Sequence, residues 1–279
     1  MEQEMNAIEV STSTIDQLWR KGWTIIERVL DVNGVAVLGQ VLDDARRDPH
    51  ELEALFALSK EEFAAKDPVA QGNEKYKQVL EAYRELRRIY PELDAIITST
   101  SLGNLARSLL GVDHVFLWAD SFLLKPPQSR GGRPTPWHQD SPLIPFDRRD
   151  CLNLWIAMGD IGPEDGAIEV VPGSHRLGSL GVQDFINDVD FHCLLKGEED
   201  LELIEPVVTV SLSAGDAVAF LPMTLHRAAV NRSNRERRAY QTWWIGSEVC
   251  YTGMPNMKTD GLGLQPGMPL SHERFPMVS

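Results

Sequence analysis

A chain of 279 residues, 43% of them hydrophobic and 24% charged, carries enough apolar material for a sizeable core, which excludes a disordered or low-complexity polypeptide. A net charge of -14 and a pI near 4.9 set most of the surface against a phosphate backbone, and no basic, aromatic-interleaved stripe offsets it, so nucleic acid is not an expected partner. Three widely separated cysteines, Cys151, Cys193 and Cys250, suit neither a disulfide framework nor a cysteine zinc site.

Residues 14 to 21 read as a short helix capped by Thr14, followed by a strand over Trp23-Thr24-Ile25-Ile26. Helical spacing then recurs in Val35, Leu38, Val41 and Leu42, in Leu52, Leu55, Phe56 and Leu58, and in Tyr76, Val79, Leu80, Tyr83 and Leu86. These stripes are expected to pack into the core rather than to dock a partner helix. Pro91 and Gly111 punctuate the last helices, where Leu102, Leu105, Leu109 and Leu110 form a further stripe.

From Val115 the period changes. Val115 to Lys125 is a long β-type run ended by Pro126-Pro127, and a Gly- and Arg-bearing loop, Gln128 to Thr135, follows as either a mobile lid or a plain turn. Further strands are expected over Leu152–Met158, Ala167–Val171, Val207–Leu212, Ala217–Leu221, Ala228–Val230 and Arg237–Ile245, with a less regular, partly acidic insertion at 177–204. Gly215-Asp216 reads as a hairpin turn. Short strands split by Gly and Pro point to a sandwich or jelly roll rather than a parallel α/β sheet. The expected organisation is one domain, with a mainly helical flank (1–112), a β core (113–246) and a C-terminal extension (247–279). The acidic opening and the lack of any run of about 18 apolar residues lead to the expectation of a soluble, cytoplasmic protein with no membrane partner, and the last four residues carry no peroxisomal or prenylation signal.

His138 and Asp140 stand two residues apart in Thr135-Pro136-Trp137-His138-Gln139-Asp140, so on an extended strand they leave one face together. With a second histidine they make the 2-His-1-carboxylate set of iron(II) oxygenases; without one they are a hydrogen-bonded polar pair at a strand end. His226 is the candidate, near the end of a predicted hairpin that returns through Asn231-Arg232-Ser233-Asn234. An even-numbered turn puts Arg237 on the face of His226 and turns Arg238 away. On that face a guanidinium can grip a carboxylate with two parallel hydrogen bonds; otherwise Arg237 is a surface charge in a basic run.

Several motifs occur in one order: Gly22-Trp23-Thr24-Ile25-Ile26, Leu124-Lys125-Pro126, Trp137-His138-Gln139-Asp140, Trp155-Ile156-Ala157-Met158 and Asp165-Gly166-Ala167-Ile168. They continue with Val171-Pro172-Gly173-Ser174-His175-Arg176, Ala214-Gly215-Asp216, and His226 with Asn231, Ser233 and Arg237. On these residues the chain, from Trp23 to about Gly246, resembles the phytanoyl-CoA dioxygenase family of iron(II)/2-oxoglutarate oxygenases. The resemblance implies a mainly β fold, a cupin-like double-stranded β-helix (jelly roll) flanked by α-helices. It implies that His138, Asp140 and His226 bind Fe(II), that Arg237 holds the distal carboxylate of the cosubstrate 2-oxoglutarate, and that Lys125 and Trp155 line its pocket. The implied reaction uses O2 to oxidise, foremost to hydroxylate, an unactivated C-H bond of a small-molecule substrate, releasing succinate and CO2.

One residue departs from the family pattern: a hydroxyl residue commonly stands two places after the distal histidine, where this chain has Ala228. Asp140 is retained, whereas halogenating relatives carry a small residue there. Competing readings are a cupin-like metal- or sugar-binding module without oxygenase activity, and a non-catalytic protein binding partners through its helical half. The segments 118–122, 130–133, 141–149 and 177–203 are expected to frame the mouth, where Arg130, Arg133, Arg148 and Arg149 either attract an anionic substrate or are solvated surface charges.

Overall fold

A computed structural model of the chain describes residues 8–47, 81–147, 150–181, 190–256 and 258–279. The helical spacing expected over 52–58 and 76–80 lies outside these residues. Helix α1 (Thr12–Lys21) is capped by Ser11, whose hydroxyl accepts the Thr14 amide at 3.2 Å, so Thr14 lies inside the helix and is not its cap. Gly22, at φ 84°, ends it in the left-handed conformation that an L side chain rarely adopts. Helix α2 (Val32–Arg47) buries Leu38, Val41 and Leu42, and α4 (Thr100–Leu110) buries Leu102, Leu105, Leu109 and Leu110; between them stands the short α3 (Pro91–Ile97). Each fully buried leucine contributes about 1.5–3 kcal/mol of apolar transfer energy.

The strands form two antiparallel sheets. Six of them, β1 (Trp23–Ile26), β2 (Glu81–Arg84), β3 (Val115–Lys125), β5 (Cys151–Ala157), β8 (Ala217–Phe220) and β10 (Arg237–Gly246), make a sheet in the order β1-β8-β5-β10-β3-β2. The smaller sheet runs β4-β9-β6-β7, from β4 (Thr135–His138), β9 (His226–Ala228), β6 (Ile168–Val170) and β7 (Val208–Thr209). Alternation sends each central strand of the large sheet into two cores. Leu152, Leu154 and Ile156 of β5 meet the helices, whereas Trp155 and Ala157 face Ile168, Val170 and Ala228 of the small sheet. This is the jelly roll with helical flank, its helices packed on the outer face of the large sheet.

Three local expectations are corrected. Tyr83 lies on β2 and Leu86 in a 3-10 turn (Leu86–Arg88), because the segment completes the edge of the large sheet by pairing with Phe122 and its neighbours. Gly215-Asp216 turns between β7 and β8, which belong to different sheets, so it closes no hairpin. The same holds for β9 and β10: the chain crosses from the small sheet to the large one through 231–234.

The C-terminal extension is fastened by a buried charge cluster. Glu85, 2% exposed, receives Lys258 at 2.6 Å, Arg274 at 2.9 Å and Arg88 at 3.5 Å. Burial pushes its pKa up, but Lys258 and Arg274 outweigh that and hold it at about 2, against an ordinary 4.5. A carboxylate whose pKa is lowered on folding contributes stability that is present above pH 4.5 and lost as pH falls toward 2. Glu85→Ala is therefore expected to destabilise the fold by about 3 kcal/mol at pH 7, since it leaves the partly buried Lys258 and Arg274 without their carboxylate. The denaturant midpoints of parent and variant should converge between pH 5 and pH 2 in equilibrium unfolding measured by circular dichroism.

Candidate metal centre

Two strands of the small sheet bring the histidines together. His138 on β4 is the register partner of His226 on β9, and their rings lie 4.2 Å apart between centroids. Asp140 stands just past the end of β4, in a helical backbone conformation at the head of a 3-10 turn (Ser141–Leu143), so the extended-strand argument for His138 and Asp140 holds only for the histidine. The carboxylate nonetheless reaches the same point: Asp140 Oδ1 is 3.6 Å from His138 Nε2 and Asp140 Oδ2 is 3.8 Å from His226 Nε2. Both separations are under twice a metal–nitrogen bond, about 4.2 Å, so one ion fits between the atoms of each pair.

The protonation pattern suits a cation. His138 Nδ1 donates to the Pro136 carbonyl at 2.8 Å and His226 Nδ1 to the Thr224 carbonyl at 2.9 Å, which leaves both Nε2 lone pairs facing the carboxylate. Burial, together with the neighbouring His226 in the case of His138, lowers both imidazole pKa values to about 4, so the rings are neutral at pH 7. Burial pushes Asp140 up while His138 and the Asn153 amide pull it down; Asn153 Nδ2 donates to Asp140 Oδ2 at 3.3 Å. Two neutral nitrogens and one carboxylate oxygen, all within 4.8 Å of one another, are the donor set of a non-haem iron(II) site.

The surrounding motifs hold these atoms in place. The Thr224 hydroxyl donates to the Gly22 carbonyl at 2.6 Å, and the Ser174 hydroxyl accepts the Leu225 amide at 2.8 Å. A Cβ on Gly22 would fall 2.5 Å from Thr224 Oγ1, so the glycine beside β1 is required by the turn ahead of His226. Gln139 points away from the centre, donating to the Gly178 and Met223 carbonyls at 2.9 and 2.7 Å.

The triad opens into a cavity of about 230 Å3, walled by Trp155, Phe220, Ala228 and Thr135 near the histidines and by Trp118, Trp243, Leu143 and Ile144 elsewhere. Arg237 enters it from β10. The residue is 3% exposed, and its guanidinium lies 4.8 Å over the Trp155 ring and donates to the Leu123 carbonyl at 3.3 Å. Among the described residues its Nε has no hydrogen-bond partner and no carboxylate pairs with it, and burial lowers its pKa to about 9. Arg238 points outward to Asp43 and Glu236, both at 3.1 Å. The face expected for each arginine is the one observed, although no hairpin joins them to His226.

Lys125 is fully buried and donates to Thr135 Oγ1 at 3.2 Å; Thr135, not Lys125, forms the cavity wall. Of the segments expected to frame the mouth, 118–122 and 141–149 contribute to it. Arg130, Arg133 and the described residues of 177–203 do not, and Arg148 and Arg149 lie outside the described residues. Arg84 of β2 and Asn256 and Lys258 of the C-terminal segment line it without having been singled out from the sequence. Asn153 and Thr135 were missed as well. Thr135 sits three residues before His138, which on a regular strand is the opposite face; a register irregularity between the two turns both inward.

The sequence model of the phytanoyl-CoA dioxygenase (PhyH) family matches residues 18–239. The chain belongs to this family. It is 28% identical over 172 residues to a phytanoyl-CoA dioxygenase of Arabidopsis thaliana, covering 61% of this chain and 56% of that relative, little more than half its length. It is 28% identical over 230 residues to a probable alpha-ketoglutarate-dependent hypophosphite dioxygenase of Stutzerimonas stutzeri, covering 78% of this chain and 72% of the relative. Its fold is similar to that of a non-heme alpha ketoglutarate dependent carbocyclase, SnoK, from nogalamycin biosynthesis, with a TM-score of 0.73 and 23% identity over the whole of both chains. Among the described residues no helix is long and apolar enough to cross a membrane.

For this PhyH-family chain, His138→Ala, Asp140→Ala and His226→Ala are each expected to reduce Fe(II) binding at least tenfold in anaerobic equilibrium dialysis, because two ligands hold a labile divalent ion poorly. Circular dichroism of the three variants should stay close to the parent.

Proposed function

We propose that the protein is an Fe(II)- and 2-oxoglutarate-dependent dioxygenase that oxidises, foremost by hydroxylation, an unactivated C-H bond of a small molecule held in the cavity. The observation that carries this reading is Arg237, a buried guanidinium without a carboxylate partner among the described residues, in the same cavity as the His138–Asp140–His226 set. Leaving such a cation buried costs stability unless an anion completes it. A metal- or sugar-binding module has no use for that arrangement, and a dicarboxylate that reaches from the metal to Arg237 does.

His138, Asp140 and His226 would hold iron; Asn153 keeps the Asp140 carboxylate turned toward the centre. Iron with 2-oxoglutarate and O2 supplies the oxidising power for C-H cleavage, with succinate and CO2 released. Arg237 would bind the distal carboxylate in a fork, and Trp155, beneath it, keeps water from that contact. Trp118 and Trp243 would flank the substrate. Trp118 is braced by Phe146 at 4.7 Å and Phe275 at 4.6 Å, and faces the cavity beside Ala119 because β3 and β10 slip register between Trp243 and Trp244. The relatives' printed substrates, phytanoyl-CoA and hypophosphite, differ too widely for either to be carried over.

Anaerobic titration with Fe(II), with and without 2-oxoglutarate, tests metal and cosubstrate together: a metal-to-ligand charge-transfer band should form only with both, and its absence would leave a binding module. A charge-assisted contact to a carboxylate contributes about 1.5–3 kcal/mol, so Arg237→Ala is expected to raise the half-saturating 2-oxoglutarate concentration by about ten- to a hundredfold. Arg237→Lys should recover part of the loss, keeping the charge without the fork. Arg238→Ala should titrate like the parent. Succinate release measured across 2-oxoglutarate concentrations distinguishes the three.

A further inference from the structure

We propose that Thr135, held by Lys125, is a second anchor for the distal carboxylate of 2-oxoglutarate and takes the place of the hydroxyl absent at Ala228. The inference rests on the dioxygenase reading above and assigns the half of the carboxylate site that Arg237 leaves open.

Thr135 is the direct register partner of Ala228 across β4 and β9. Side chains directly opposite on antiparallel strands have Cβ atoms about 4.5–5.5 Å apart, so hydroxyls on residues 135 and 228 would both reach the same part of the cavity. Both residues line the cavity that holds Arg237. The irregularity between Thr135 and His138 is what turns the Thr135 side chain to this side of the sheet.

The hydrogen bonding fixes which way the hydroxyl works. Lys125 Nζ donates to Thr135 Oγ1 at 3.2 Å, and an ammonium has only donors. That contact occupies a lone pair of the hydroxyl and leaves its hydrogen to donate to an acceptor, the role needed beside a carboxylate. Lys125 is also the register partner of Arg237 across β3 and β10, and both are buried. Like charges placed directly opposite one another are unfavourable, and an anion bound beside them offsets this.

The position of Lys125 is built from two sides. Asn231 Nδ2 donates to its carbonyl at 3.1 Å, and Gly166, at φ 71°, leaves room for its stem, since a Cβ there would fall 2.8 Å from Lys125 Cδ and 2.9 Å from the Ala229 carbonyl oxygen. The Asp165-Gly166 motif and Asn231 thus converge on the residue that orients Thr135.

The test is an anaerobic 2-oxoglutarate titration of the Fe(II)-loaded protein by its charge-transfer absorption, which reads binding without turnover. Thr135→Val is expected to raise the dissociation constant about tenfold, the effect of one hydrogen bond to a charged group, and Thr135→Ser to stay within about twofold of the parent. Adding Ala228→Ser to Thr135→Val should recover most of the loss, because it returns a hydroxyl to the same part of the cavity. Ala228→Ser alone, which needs no change at Thr135 and covers the case in which the valine variant does not fold, should change affinity by less than about threefold. Parent-like binding by Thr135→Val, no recovery in the double variant, or a tenfold gain from Ala228→Ser alone would each overturn the inference while the parent band upholds the dioxygenase reading. A parent that forms no band with 2-oxoglutarate would overturn both.

Discussion

The structure of the site depends on one pairing, that of His138 with His226 across β4 and β9. These residues are far apart in the chain, and only the ladder between two short strands makes them neighbours. Because side chains alternate with period two, a slip of one residue would send His226 to the outer face and part it from His138 and Asp140 without breaking a single covalent bond. Strands of three or four residues fix register weakly on their own. The lock is supplied from outside: Ser174 holds the Leu225 amide, Thr224 reaches the Gly22 carbonyl, and Gly22 has no side chain that would push the turn away. The helix-to-strand junction near the N-terminus and the Pro172-Gly173-Ser174 turn therefore act on the metal site through the position of one histidine.

Arg237 belongs to the other sheet, and its burial is the counterpart of that lock. A guanidinium on a residue 3% exposed is expensive, and the Trp155 face and the Leu123 carbonyl offset only part of the cost. Among the described residues Asp140 is the sole carboxylate lining the cavity, and it faces the histidines. Placing the cation on β10, paired on both sides by long strands, keeps it from relaxing toward solvent. The energy withheld in this way is available to a ligand that brings its own carboxylate, which is how a preorganised site gains affinity.

Much of this was legible in the chain. The run Val115–Lys125 appears as one strand with the bounds its composition suggested, because eleven residues of β-formers between a turn and two prolines leave little choice. His138, Asp140 and His226 converge, and Arg237 faces them while Arg238 does not. The route to that last conclusion was wrong. Parity across a hairpin presumed that β9 and β10 pair, yet they lie in different sheets, and Arg237 meets His226 because both look into the space between the sheets. Sequence spacing carries no signal for a change of sheet. Thr135 escaped notice for a related reason, since a period-two reading puts it opposite His138 and only the irregularity between the two reverses that. A proline inside a short β run was the available hint. The strand Glu81–Arg84 and the wall formed by Asn256 and Lys258 were invisible, being fixed by partners about 40 to 170 residues away that leave no local period.

That last group of residues separates two functions in space. The histidine end of the cavity is made by the small sheet and the inner face of the large one. The outer wall is made by β2, the 3-10 turn Ser141–Leu143 and the C-terminal segment, where Asn256 donates to the Leu143 carbonyl at 3.2 Å and Lys258 is anchored on Glu85. β2 is held by its ladder to β3, but the C-terminal segment is joined to the rest of this wall by side-chain hydrogen bonds and ion pairs. Residues at 84, 143, 256 and 258 can therefore change, and with them the shape and charge offered to a substrate, while the pairing of His138 with His226 stays intact. A fold divided in this way can keep one candidate metal centre and vary what is brought to it.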